Sequence, residues 1–135
     1  MKSIISFIAS FFIFIANVYS APEDIIGTFK GTEQSTVTNC GAYDGTTSGS
    51  WSVTHTDLNG DSFVGKGTNK DGDFTAAGKI SGSTVTGTSK GVNKWGIAWS
   101  SEFNASLDGG KYIANITGTT ATGCKFNNKV EATRN

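Results

Sequence analysis

The chain has 135 residues, with 11 Lys+Arg against 11 Asp+Glu and a single His, enough for one domain and too evenly charged for nucleic acid as a partner, which needs clustered basic residues to displace counterions. Apolar residues make up 36% of it, but residues 1–20 hold 14 of them and leave the remainder about 30% apolar and dominated by Gly, Ser and Thr. That composition excludes a helical bundle, a bundle of membrane helices and a large enzyme.

Residues 1–20 have the form of a signal peptide. Lys2 supplies the positive start, Ile4 to Val18 the apolar stretch, and Val18 and Ser20 the small residues before a cut at Ala21. The apolar run is shorter than the ~20 residues of a membrane span. The expected product is a single domain, residues 21–135, secreted or periplasmic, with no membrane attachment once the leader is removed. In an oxidising compartment Cys40 and Cys124 should be bridged. The closed loop would span most of the mature chain, worth roughly 4–5 kcal/mol on the chain-entropy model. Two cysteines and one histidine do not make a zinc site. No metal and no cofactor are expected.

The mature chain then reads as strands divided by turns. The first strand is Ile25–Thr38, followed by the longest loop, Asn39–Thr47. Trp51–Leu58 and Ser62–Thr68 flank Asn59-Gly60, a strong hairpin signal. Asp71-Gly72 leads to Phe74–Ser81, Gly82-Ser83 to Thr84–Ser89, and Lys90–Asn93 to a long strand. In that strand Trp95, Ile97, Trp99, Ser101, Phe103, Ala105 and Leu107 alternate with mostly polar residues, the period of a half-buried strand. Asp108-Gly109-Gly110, Lys111–Thr119 and Cys124–Arg134 complete eight strands in meander order. Gly-Thr recurs six times, at 27, 31, 45, 67, 87 and 118.

A Cys40–Cys124 bond would lay strand one antiparallel to strand eight, with residues 29–30 near 134–135. The sheet then closes, giving an all-β fold: a small eight-stranded antiparallel up-and-down barrel. An open β-sandwich is the alternative. The outward positions, such as Thr84, Thr86, Thr88, Lys125, Asn127 and Lys129, are polar, unlike the apolar band of a membrane barrel. The register also brings Gly27-Thr28-Phe29 to Arg134. This resembles the first-strand Gly-x-Trp and last-strand Arg of lipocalin- and avidin-type (calycin) barrels, with Phe in place of Trp. The resemblance implies a ligand-binding barrel and specifies no ligand.

In a meander the loops near 39–47, 69–73, 90–93 and 120–123 share one end. Tyr43 and Asp44 lie there, Trp51, Trp95 and Trp99 close below, and Lys70, Asp71 and Lys90 at the rim. An aromatic mouth with a polar rim fits a small apolar molecule or a sugar. Alternatively the tryptophans fill a core otherwise short of large apolar residues. Inward glycines either leave room for a ligand or let strands press together. If strands one and two fold back about 39–47, inward His55 falls near Gly31 and Glu33. That pair would be either an acid/base dyad or a satisfied interior contact. No nucleophile elbow or phosphate loop accompanies it. Asp57-x-Asn59-x-Asp61 lacks the glycine and glutamate of a calcium loop and reads as a turn. Asn104-Ala-Ser and Asn115-Ile-Thr are glycosylation sequons. The expected function is that of a non-catalytic, monomeric binding module. Its alternatives are a protein-interaction factor, such as an inhibitor or a secreted virulence or defence factor, and an enzyme using His55 and Glu33.

Overall fold

The computed structural model describes residues 21–135; the leader lies outside the described residues. Its strands are β1 (Gly27–Thr38), β2 (Gly45–Asn59), β3 (Ser62–Asn69), β4 (Gly72–Ser81), β5 (Thr84–Val92), β6 (Ala98–Asp108), β7 (Lys111–Thr120) and β8 (Lys125–Arg134). Each pairs antiparallel with the next, and β8 pairs with β1, so the barrel is closed in meander order. The open sandwich is thereby excluded.

The hairpins at the end that carries the chain termini are tight. Gly60 and Gly82 have φ of +64° and +60° at the first turn position of the β2–β3 and β4–β5 hairpins, as primed turns require. Loops at the opposite end are held by side chains instead. Two strands differ in extent from the sequence expectation. β2 begins at Gly45, because small residues 45–50 continue the ladder with β1. β6 begins only at Ala98, so Trp95 lies in a loop and not at a strand start. Ile25 precedes β1 in a short 3-10 turn, Pro22–Ile25, and is fully buried in the closed end.

The seam pairs Phe29 with Arg134 and runs to Thr38 with Lys125, one residue away from the register expected from the cysteines. The disulfide does form, with Cys40 and Cys124 Cα atoms 4.8 Å apart. Both cysteines lie beyond the last ladder pair, after Asn39 turns at φ +59°, so the bridge is not a rung of the sheet. Arg134 sits 4.9 Å from the Phe29 ring centroid and its Nη1 donates to the Ile26 carbonyl at 2.6 Å. Ladder partners followed from Gly27 through His55, Gly65, Ala76, Ser89, Ser101, Gly118 and Phe126 return to β1 at Val37, ten residues further on. That stagger tilts the strands, and an eight-stranded interior is just wide enough to fill with side chains or to hold one small ligand.

Most of the interior is filled. Phe29, Val53, Phe63, Ile80, Val85, Leu107, Tyr112 and Val130 pack the closed half. Trp51 is 5% exposed and stacks on Tyr112 (centroids 5.8 Å, 11°) and Phe74 (6.0 Å, 25°). It is a core residue, not a mouth residue. The inward glycines stand directly across a ladder from rings: Gly65 from His55, Gly67 from Phe74, Gly87 from Phe103, Gly91 from Trp99 and Gly118 from Phe126. A Cβ at any of these would meet the facing ring. The space these glycines free is therefore taken by aromatic side chains, and three of the six Gly-Thr units, at 67, 87 and 118, supply such a ring seat.

Candidate binding vestibule

Beyond Trp51 the inward residues become polar. Glu33, Ser35, Ser89, Ser101 and Asn128 are all buried. Nearer the disulfide end, Val37, Asn69, Trp99 and Phe126 also point inward yet are only half-buried. Solvent still reaches these inward residues, so this end of the barrel is less completely filled than the other. Trp99 and Phe126 meet edge-on at 5.7 Å and 87°, each seated on its glycine, and form one wall. On the floor, Asn128 Nδ2 donates to Glu33 Oε2 at 3.2 Å, while Asn128 Oδ1 has no hydrogen-bond partner. Ser89 and Ser101 hydroxyls bond at 2.5 Å. Burial pushes the Glu33 carboxyl above its ordinary value, opposed by the Asn128 bond and by Lys70, and reinforced by Asp71.

The rim is an ion cluster. Asp71 Oδ2 accepts from Lys70 Nζ at 2.9 Å, and Lys94 Nζ stands 3.5 Å from Asp71 Oδ1. That Oδ1 is shielded from solvent and makes no hydrogen bond. Lys70 lays its aliphatic stem over Gly49, where a Cβ would lie 2.8 Å from Lys70 Cδ. The Asp71 N–H is held by Asn69 Oδ1 at 2.9 Å, and the Asp71 carbonyl accepts from the Lys94 N–H at 2.7 Å, so the β3–β4 turn is tied to the β5–β6 loop.

That loop presents Trp95 outward. Asn93 Oδ1 accepts from the N–H groups of Trp95 (3.1 Å) and Ile97 (3.0 Å), and the Asn93 carbonyl accepts from Gly96 at 2.9 Å. With its backbone fixed in this way, the Trp95 side chain is 62% exposed, with Lys94 Nζ 4.7 Å from the ring centroid. Tyr43, 80% exposed, ends the 3-10 turn Gly41–Tyr43. Asp44 is exposed, and its Oδ1 accepts from the Cys40 N–H at 2.6 Å and closes this loop. Asn39 Nδ2 reaches the Gly123 carbonyl at 2.9 Å, binding the loop to its neighbour beside the disulfide.

No family model and no curated protein matches the chain.

Of the residues that the sequence brings to this end, Tyr43, Trp95, Lys70 and Asp71 lie on its loops and Trp99 lines the lumen. Trp51 is sunk in the core. Lys90 projects from the outer face of β5 beside Thr75 and Ser100. Asn128, Ser89, Ser101 and Phe126 escaped sequence reasoning. The signal for Asn128 was there: it shares the inward face of β8 with Phe126, Val130 and Ala132, and a polar residue in such a row needs an explanation.

His55 and Glu33 are not brought together. The compact turn at 41–43 pairs His55 with Gly27 instead of Gly31, and Glu33 with Gly49. Six residues of β1 separate the two positions, roughly 20 Å of strand. His55 is 2% exposed, in edge contact with Phe63, and its Nδ1–H donates to the Ile25 carbonyl at 3.1 Å. Burial lowers its pKa to about 4, so it is a neutral interior group that anchors the 3-10 turn. No acid/base dyad forms there.

Two shallow grooves also cross the outer face. One of about 590 Å³ runs between the rows Lys66–Thr75–Lys90 and Asp73–Val92–Ala98, with Gly67, Phe74, Gly91 and Trp99 also in its lining; the other, about 580 Å³, lies beside Thr88, Glu102 and Thr117, with Ser89, Ser101 and Gly118 also in its lining. Neither is lined by an unpartnered buried polar atom; the vestibule floor and rim hold both that are found among the described residues.

Proposed function

We propose that the protein is an exported, monomeric, non-catalytic binding module that engages a small molecule or a sugar at its disulfide end. The observation that carries this reading is the presentation of Trp95. Exposing an indole forgoes roughly 2–3 kcal/mol of burial, and four hydrogen bonds through Asn93 hold the loop that exposes it. A rigid aromatic anchor of this kind lowers the entropy lost on binding. Export is supported by the leader-like residues 1–20 and by the Cys40–Cys124 bridge. The calycin-like reading gains support from the closed barrel and from Arg134 packed on Phe29.

Intrinsic tryptophan fluorescence titrated with sugars and small apolar ligands tests the proposal. A saturable change is expected, and Trp95→Ala should weaken it while leaving thermal stability unchanged. A full response in Trp95→Ala together with Tyr43→Ala would overturn the role given to the rim. The 80% exposure of Tyr43 favours a second reading, recognition of another secreted protein. Partners captured on immobilised protein should then be lost with Tyr43→Ala; equal recovery would exclude that loop.

A further inference from the structure

The outer groove of about 590 Å³ crosses β3 to β6 at the disulfide end. Its floor is one ladder row of inward-facing positions, Gly67–Phe74–Gly91–Trp99. One bank carries Lys66, Thr75 and Lys90 as direct ladder neighbours, and the other ends in Val92 opposite Ala98. Val92 is 57% exposed, Ala98 is exposed beside it, and the pinned loop that joins them presents Trp95. Lysine stems are themselves apolar surface with the charge at the tip, so both banks offer apolar contact.

Among the described residues neither Lys66 nor Lys90 forms an ion pair. Asp73, on the facing bank, is the acidic residue of the lining and pairs with neither lysine. Glu102 stands behind the lysine bank, in the neighbouring groove, and is also unpaired among the described residues. Two cations against one anion leave the groove positive, with its apolar half at β5–β6. A complementary occupant brings an acidic group to Lys66, Thr75 and Lys90, and apolar bulk to Val92 and Ala98. The fold narrows its class. A closed barrel offers no edge strand for a partner to extend, so a partner docks across the strands through side chains. A shallow outer groove covers too little of a small molecule, which takes concave pockets. A segment of a larger partner gains further contact beside the groove, at Trp95. Strands about 4.8 Å apart put the centre of the Val92–Ala98 pair about 7 Å from Thr75 along the groove, close to the roughly 6.8 Å that two residues of an extended chain span.

We propose that this groove docks an extended segment of a secreted partner protein, with an Asp or Glu side chain between Lys66 and Lys90 and a large apolar side chain, two positions away, on Val92 and Ala98. This rests on the protein-recognition reading above and gives it a contact surface independent of Tyr43.

The test is nuclear magnetic resonance of the ¹⁵N-labelled protein, titrated with the end-blocked peptides Ser-Gly-Glu-Gly-Phe-Gly-Ser and Ser-Gly-Phe-Gly-Glu-Gly-Ser. Saturable shifts of the Lys66, Thr75, Lys90, Val92 and Ala98 amides with at least one of them are expected, weakening as salt is raised. Gln in place of the peptide's Glu should lower affinity roughly fivefold. Lys66→Gln combined with Lys90→Gln should do the same, and the two losses should not add. Asp73→Asn should raise affinity, which a merely structural role would not do. All three positions are exposed, so the variants should keep the fold. Equal binding of the Glu and Gln peptides, or no effect of the lysine substitutions, would overturn the inference. Phenylacetate or decanoate reproducing the shifts at the peptide's affinity would overturn the peptide class in favour of a small amphiphilic anion. Shifts confined to residues 41–44 would overturn the groove and leave protein recognition standing. Shifts with none of the probes would overturn the inference, and capture with Tyr43→Ala then decides the broader reading separately.

Discussion

Replacing both Cys40 and Cys124 with serine should remove about 4.5 kcal/mol of stability, the loop-closure entropy of a chain crosslinked across 84 residues. The folded state gives little of this back, because the β1–β8 seam keeps its ladder from Phe29 to Thr38 without the bridge. The loss is thus carried by the unfolded chain, which gains freedom once untied. At ~2.1 cal/mol/K of unfolding entropy per residue over the described chain, the melting temperature should fall by about 15–20 °C. Urea titration followed by far-ultraviolet circular dichroism and tryptophan fluorescence measures it. The midpoint should drop and the slope with denaturant should rise, since a more expanded unfolded state exposes more surface. A loss below ~1 kcal/mol with an unchanged slope would refute the reasoning, because the entropy of an 84-residue loop cannot be that small on this model. Loss of the ladder in the serine variant, seen by hydrogen exchange at 29–38, would instead show that the bridge holds the folded seam.

Three further outcomes are expected. His55 is held neutral with its pKa lowered to about 4 from 6.5, so the native state binds its proton less readily than the unfolded chain. Stability from this group is complete above pH ~6.5 and falls by about 3 kcal/mol as pH drops to ~4; His55→Gln should flatten that limb in pH-dependent urea titrations. Glu33 has the opposite sign: its raised pKa makes stability decline as pH rises above 4.5, so Glu33→Gln should stabilise the protein at neutral pH, and a loss of stability there would contradict a buried, poorly solvated carboxyl. Gly67→Ala should cost about 1–3 kcal/mol by calorimetry, because its methyl would overlap the Phe74 ring and the Ser52 carbonyl; a neutral outcome would mean the ring moves freely.

The barrel was legible because inward and outward residues alternate through β5 to β8, and because the cysteines name the two strands that must meet. What escaped has local causes. The alternation from Trp95 to Leu107 counts side chains and is blind to Asn93, whose side-chain Oδ1 captures two backbone N–H groups and turns 95–97 out of the sheet. Residues 45–50 are Gly, Thr and Ser, too small to carry a period, so the sequence carries no signal for the start of β2 and makes the loop look longer than it is. That error shifted the β1–β2 pairing by four residues and created an apparent His55–Glu33 pair. For the site, Tyr43 and the Lys70–Asp71 rim were readable from turn positions. The floor was not: whether Trp51 caps the apolar half or lines the mouth depends on the ten-residue stagger of the closed sheet, which only the complete set of ladders fixes.

Both ends of the described chain leave from the tight-hairpin end, where the Asn135 N–H bonds the Thr28 carbonyl at 2.8 Å and Arg134 covers Phe29. The described chain therefore ends opposite its disulfide-end loops. A surface, a fluorophore or a second protein attached after Asn135 would be held a full barrel length from the loops, so the protein could be immobilised in uniform orientation with its mouth facing the sample.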